Sequence, residues 1–278
     1  MDYNFSRITN DDKQLSQIRI LLSEAFPGKN KFTLDYLHWQ YFENPLGEVV
    51  GFNALTDNKV LAAHYATIPI RMNISGKNEI GLLSLNTATH PDHRGKRLFT
   101  ILAEKTYEYA KAQGFKFIVG VANANSTHGF LKKLGFYLIS PLSVKVGIGD
   151  AYREGFPSDK NYVYYDSQTL QWRLRCPEFQ YSIRESTIYG SINKPLFHTV
   201  VGHIPNDVEV SKLDLGKTFD IFNLYVGIGI EPKGLYMNLP KFIKRSPFNL
   251  IFKDLTDGDL PILTKDNTIF QLLDYDVA

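Results

Sequence analysis

From residue 11 to about residue 146 the chain alternates between helical and strand-like periodicity, and this alternation constrains the fold most. Asp11 or Asp12 can cap a helix whose Leu15, Ile18, Leu21 and Leu22 recur at helical spacing, ending near Pro27-Gly28. Thr33 can cap a second helix through Leu34, Leu37 and Trp39, stopped by Asn44-Pro45 and Gly47. A meander follows: Val49 to Leu55, Val60 to Ile74 and Ile80 to Thr89, with turns at Asp57-Asn58 and Ser75-Gly76. Beyond the loop His90 to Lys96 a third helix runs to Gln113, with Leu98, Ile101, Leu102, Tyr109 and Ala110 on one face and Gly114 as its stop. Lys116 to Ala122 reads as a short buried strand, and Ser126 to Leu134 as a helix closed by Gly135. The strands on either side of the third helix are then parallel neighbours through a crossover, the mark of an α/β unit.

Past Gly147 the texture changes. Tyr162 to Tyr165, Gln180 to Thr187, His198 to Val201 and Phe219 to Gly229 read as strands between Pro and Gly punctuation. We therefore divide the 278 residues into 1–145 and a strand-rich 146–278. The net charge of +2 is too small for a nucleic-acid or membrane-surface binder. It conceals an asymmetry: residues 1–146 carry 17 Lys and Arg against 12 Asp and Glu, and the remainder carries 14 against 17. One cysteine, Cys176, allows neither an internal disulfide nor a multi-cysteine metal site, and no metal is expected. The amino terminus lacks a signal-type apolar core, and no run approaches the roughly 18 apolar residues of a membrane span. A cytoplasmic protein with small-molecule partners is the expectation.

The segment Ser84 to Phe99, SLNTATHPDHRGKRLF, carries the chemistry. A strand ends, a polar loop follows, and a helix opens with Arg94, Gly95, Lys96 and Arg97 at its mouth. Unpaired amides and a partial positive charge at a helix start, joined by three cationic side chains, can cradle a pyrophosphate. The same residues also read as a solvated basic loop with ordinary surface charge.

This stretch resembles the coenzyme A loop of the GNAT superfamily of N-acyltransferases, in which Arg/Gln-x-x-Gly-x-Gly/Ala opens a helix after a Pro-containing turn. Arg94 matches the first position, whereas Arg97 and Phe99 stand where the two small residues usually sit. A second piece is similar to the family's segment after the next strand: Asn123-Ala-Asn125-Ser126, then Gly129 to Phe136 ending in Leu-Gly-Phe. The resemblance covers residues 1–145 and implies a GNAT fold, a mixed central sheet flanked by helices; the second half is then a degenerate GNAT-like unit that completes an acceptor pocket.

The resemblance further implies an acyl-CoA co-substrate, acetyl-CoA or a hydroxyacyl-CoA. Its pantetheine would lie between diverging strands against Thr87, Ala88 and Thr89, with an amide near Thr87 stabilising the thioester oxyanion. Arg94, Gly95, Lys96, Arg97 and Leu98 would hold the pyrophosphate, and Asn123 and Ser126 the far side of the arm. The family's strand carboxylate is missing from Leu82 to Leu85, and Leu131 stands where a tyrosine acid is common. His128 is the first candidate base; His64, mid-strand among apolar neighbours, reads more readily as a hydrogen-bonded core residue.

The Trp39 to Gly47 cluster and Leu170-Gln-Trp172-Arg173-Leu-Arg175 are similar to a subgroup among polysaccharide-biosynthesis enzymes. They place Tyr41, Asn44, His64, Asn86, Trp172 and Arg173 on the acceptor side; an alternating strand is the competing account of residues 170–175. The expected reaction acylates a nucleotide-linked amino sugar, with a dTDP-3-amino-3,6-dideoxyhexose as best candidate. Two other readings stay open: a tandem GNAT transferase acting on peptide or antibiotic amines, and a non-catalytic acyl-CoA sensor.

Overall fold

The computed structural model describes residues 2–28, 31–149, 156–157, 159–184, 186–191, 197–203, 208, 222–230, 232, 234–239 and 246–275. The chain opens with β1 (Tyr3–Arg7), an edge strand that its polar sequence did not advertise, then α1 (Asp12–Ala25) and α2 (Leu34–Phe42). Asp11 and Thr33 cap these helices by accepting the amides of Gln14 and Tyr36, as their side chains suit them to do. The meander is β2 (Val50–Thr56), β3 (Leu61–Ile74) and β4 (Lys77–Thr89). Then come α3 (Leu98–Ala112), β5 (Phe117–Ala122), α4 (Ala124–Lys133) and β6 (Tyr137–Pro141).

The remaining elements are β7 (Ser143–Ile148), β8 (Tyr162–Val163), α5 (Ser167–Leu174), β9 (Tyr181–Arg184), β10 (Thr187–Ser191), β11 (Phe197–His203), β12 (Phe222–Ile228), β13 (Leu235–Asn238), β14 (Asn249–Asp254) and β15 (Phe270–Gln271). Residues 219–221 of the strand expected over Phe219 to Gly229 lie outside the described residues. Residues 170–175 fall in a helix and its C-cap, not an alternating strand, because Asp166 caps α5 through the amide of Thr169.

Two sheets result, and they exchange strands. The first runs β1-β2-β3-β4-β5-β14-β6, with β8 added beside β3; the second runs β13-β7-β12-β11-β10-β9, with β15 beside β12. Each sheet has an antiparallel meander ending in one parallel pair, β4 with β5 and β11 with β12, followed by antiparallel strands. Position for position, β14 occupies the place in the first sheet that β7, which spans the boundary between the halves, occupies in the second. The two sheets thus repeat one strand plan among the described residues, and strand pairing crosses residue 145.

One difference matters for function. In the second sheet, β11 and β12 pair over Phe197–Val200 and Phe222–Tyr225. Beyond that point the chain's own residues 270–273 sit against the parting strands: Gln271 pairs with Gly227, and its Oε1 accepts the amide of His203 at 2.7 Å. A Cβ added to Gly202 would lie 3.1 Å from Leu273 Cβ. The corresponding gap in the first sheet is open.

Core packing follows the two faces of the first sheet. Leu98, Leu102 and Ala103 of α3 and Phe130 of α4 pack on Ala54, Tyr65, Leu82 and Ile118. Leu15, Ile18 and Leu22 of α1 and Leu37 of α2 cover Ile68, Leu83 and Leu85 in a cluster that continues through Leu170, Val201 and Phe270. With each such side chain contributing about 1.5–3 kcal/mol on burial, this shared core joins the halves into one body.

Candidate active site

Strands β4 and β5 pair only over Leu82–Ser84 and Ile118–Gly120 and then part. Between them opens a cavity of about 710 Å³, walled by residues 84–89 on one side and 120–123 on the other. Thr87, Ala88 and Thr89 all line it, as does Asn86, and so do Asn123 and Ser126 across the gap.

At the α3 end the cavity meets the cationic loop. Arg94 lines the wall, and Lys96 and Arg97 are exposed beside it. Gly95 and Arg97 both take left-handed backbone, at φ 77° and 58°. For an arginine this costs roughly 1–2 kcal/mol, so the loop imposes at position 97 the conformation a glycine would adopt freely. Arg97 is the N-cap of α3 without a side-chain cap bond, which leaves the helix mouth without a side-chain acceptor of its own. Leu98 buries its side chain in the core and has only its amide to offer a phosphate. Phe99, the second departure from the family pattern, lines the cavity instead, packed edge-on against Phe130 at 5.1 Å. Gly129 makes room for it, since a Cβ there would lie 2.9 Å from the Phe99 ring.

Across the gap, Asn123 caps α4. Its Oδ1 accepts the amides of Asn125 and Ser126, each at 3.0 Å, and Ser126 Oγ accepts the Asn123 amide at 3.2 Å. The cap fixes both side chains at the cavity rim.

Other expected site residues are placed elsewhere. His128 is exposed and off the cavity wall: with Ser126, Gly129 and Phe130 turned inward, the 100° step of the helix carries residue 128 to the solvent side. Tyr41 and His64 are wholly buried and lie behind the cavity wall, linked to it through Asn86. Burial pushes the His64 imidazole down to about 3, so it remains neutral and holds no exchangeable charge near pH 7. Asn44 closes a turn by accepting the Leu46 amide and donating to the Pro69 carbonyl. Trp172 stacks on Trp39, and Arg173 spends its guanidinium on the carbonyls of Leu273 and Tyr275. Because α5 is a helix packed against α2, neither residue reaches the cavity.

Several contributors were not foreseen. Ser84 sits at the fork of the strands, its Oγ 2.9 Å from the Tyr65 hydroxyl, which in turn lies 2.8 Å from that of Tyr107. Burial pushes Tyr65 up to about 12, so this is a chain of neutral hydroxyls. Phe248 and Tyr275, from the second half, join Phe26 in an aromatic wall at the inner end. Only tertiary structure brings them there; no local spacing marks them. Among the described lining residues, Arg94 and Tyr275 are the only titratable side chains.

Comparison with known proteins agrees with this geometry. Residues 6–139 match the acetyltransferase (GNAT) domain family. No curated protein matches the chain in sequence. Among solved structures, a probable N-acyltransferase from Enterococcus faecalis V583 superposes with TM-score 0.60 at 9% identity, over 92% of this chain and 73% of its own. A GCN5-related N-acetyltransferase from Anabaena variabilis gives 0.61 at 10% identity over 91% and 74%, and Eis1 from Mycobacterium abscessus gives 0.58 at 9% over 91% and 74%. These likenesses extend through both halves and concern the fold. Residues 6–139 are therefore similar in sequence to the acetyltransferase (GNAT) domain family, and the chain as a whole has the fold of these N-acyltransferase structures.

Proposed function

We propose that the protein transfers an acyl group from acyl-CoA to the amino group of a nucleotide-linked amino sugar, with a dTDP-3-amino-3,6-dideoxyhexose as the best candidate. The observation that carries the reading is the character of the cavity wall. It holds no carboxylate, histidine or cysteine among the described lining residues, and its formal charge is the cation of Arg94. Without a cysteine there is no thiol to take the acyl group, so the amine attacks the thioester directly within a ternary complex. Without a carboxylate the wall offers nothing to a polycationic acceptor, while an anionic nucleotide meets no repulsion. An amine with a pKa near 8 is partly neutral at pH 7 and can attack without a strong base, unlike a lysine near 10.4.

Thr87 and Ala88 supply amides to the thioester oxygen, and the cationic loop at Arg94, Gly95, Lys96 and Arg97 holds the pyrophosphate. Tyr275 offers the proton that the departing thiolate takes up. The aromatic wall of Phe26, Phe248 and Tyr275 gives a sugar or base a stacking face. The test is thiol release from acetyl- and hydroxybutanoyl-CoA against nucleotide amino sugars, peptides and aminoglycosides. Preference for the sugar nucleotides is expected; turnover confined to peptides or aminoglycosides overturns the substrate assignment.

A further inference from the structure

Near the C-terminal end of β4, Asn86 takes left-handed backbone, at φ 45°. It lies in a bulge, where the pairing of β3 with β4 shifts register between His64 and Ala66. Asn86 lines the cavity but is only 7% exposed, so most of its side chain faces protein.

What it meets there is a chain of neutral polar groups. Asn86 Nδ2 donates to Gln40 Oε1 at 2.6 Å and to the Tyr41 hydroxyl oxygen at 3.0 Å. Gln40 in turn donates through Nε2 to the Tyr36 hydroxyl at 3.0 Å, with its oxygen turned toward Asn86. Tyr41 lies 2.9 Å from His64 Nε2, and His64 Nδ1 lies 2.7 Å from Asn53 Oδ1.

These contacts have one direction. Asn53 Oδ1 is an acceptor, so the single proton of the neutral imidazole sits on Nδ1 and leaves Nε2 to accept from Tyr41. The Tyr41 oxygen then accepts from Asn86. Both protons of the Asn86 amide are thereby directed inward, and its carbonyl Oδ1, which makes no hydrogen bond among the described residues, is the polar atom left for the cavity.

We infer that Asn86 Oδ1 accepts a hydrogen bond from the attacking amine and aligns its lone pair on the thioester carbon, doing by orientation what a carboxylate would do by charge. The inference rests on the proposed transferase reading and names the group that receives its nucleophile. In the step, the amine nitrogen forms a bond to the thioester carbon and the carbon–sulfur bond breaks. The surplus amine proton passes to the CoA sulfur by way of Tyr275 or water. Asn86 holds the other N–H and takes no proton, since an amide oxygen is not basic at neutral pH. A neutral acceptor also avoids stabilising the ammonium form, which a carboxylate at this place would favour.

Two measurements test it. The first is hydrogen exchange of the Asn86 side-chain amide by NMR, identified by its loss in Asn86→Gly. Slow exchange of both protons is expected; exchange as fast as in a solvated amide would mean the reverse orientation and overturn the assignment. The second is steady-state kinetics of Asn86→Gly, which keeps the left-handed backbone, and of Tyr41→Phe, on the amine best acylated by the unaltered enzyme. For Asn86→Gly, kcat/KM for the amine should fall at least tenfold while KM for acyl-CoA stays within about twofold; Tyr41→Phe should show the same split at several-fold. Unchanged kcat/KM for the amine, or equal damage to both substrates, would reduce Asn86 to a structural role. Absence of turnover by the unaltered enzyme with every amine would overturn the transferase reading and this role together, while the exchange result judges the orientation separately.

Discussion

The indole N–H of Trp39 donates to the carbonyl of Trp172 at 3.0 Å, and the indole N–H of Trp172 donates back to the carbonyl of Trp39 at 3.1 Å. The rings stack at 5.1 Å with 22° between their planes. This reciprocal clasp ties α2 of the first half to α5 of the second, and Arg173 of α5, with Tyr165 just before it, holds the backbone at Leu273 and Tyr275, the latter a cavity residue.

Breaking the clasp should therefore cost stability across the whole chain. Trp172→Ala is expected to lower unfolding free energy by about 3–5 kcal/mol, and Trp172→Phe, which keeps a ring but loses the N–H, by about 1 kcal/mol. Urea unfolding checks both. A cost below about 1 kcal/mol for the alanine variant would show that the halves do not rely on this contact.

Asp274 gives a pH signature. Burial raises its carboxyl to about 7, against the opposing pull of the Gln271 amide, Tyr165 and Arg173. The folded state then binds the proton more tightly than the unfolded state, whose value is near 3.8. Stability from this group is complete below about pH 4 and is lost as pH rises towards 7. His64 has the opposite slope, because its value falls from 6.5 to about 3: its contribution is present above 6.5 and lost as pH falls towards 3. The two oppose each other through the acid range. Asp274→Asn should thus gain stability relative to the unaltered protein between pH 4 and 7 and level off above. A difference independent of pH would contradict the buried, proton-holding state.

The loop at α3 separates backbone from side chain. Arg97→Gly keeps the left-handed turn, whereas Arg97→Ala keeps the strain and loses the guanidinium. Both should raise KM for acyl-CoA several-fold if the side chain meets phosphate, with the glycine variant at least as stable as the alanine variant. An unchanged KM in both would confine the contact to the amide.

Tyr275→Phe removes the one lining hydroxyl that is both acidic and central to the aromatic wall. A fall in kcat of tenfold or more, with KM for acyl-CoA little altered, is the expectation from general acid catalysis. An unchanged kcat would leave proton transfer to water.

The first half was legible because its signals are local. Asp11 and Thr33 cap, Gly114 and Gly135 stop, and Leu15, Ile18 and Leu22 repeat at the helical period. That Thr87 to Thr89 and the rim residues Asn123 and Ser126 would face one another was implied by the resemblance of their two segments to the GNAT family, and all of them line the cavity. What escaped was long-range. β14 lies more than a hundred residues beyond β5 yet pairs with it, and no periodicity announces a partner. Trp172 and Arg173 carried the right residue types for ligand recognition, but α5 turns both into the join between the halves. Tyr41 and His64 lie behind Asn86, joined to it by hydrogen bonds, an arrangement visible only once β3, β4 and α2 are packed.

The most direct test of the account is the mass of the product. Incubating the protein with acetyl-CoA and a dTDP-3-amino-3,6-dideoxyhexose should yield the sugar nucleotide heavier by one acetyl group on nitrogen, in equal amount to the thiol released and with no acyl group on the protein. Recovery of the unmodified sugar nucleotide beside intact acetyl-CoA, or of an acylated protein, would contradict it.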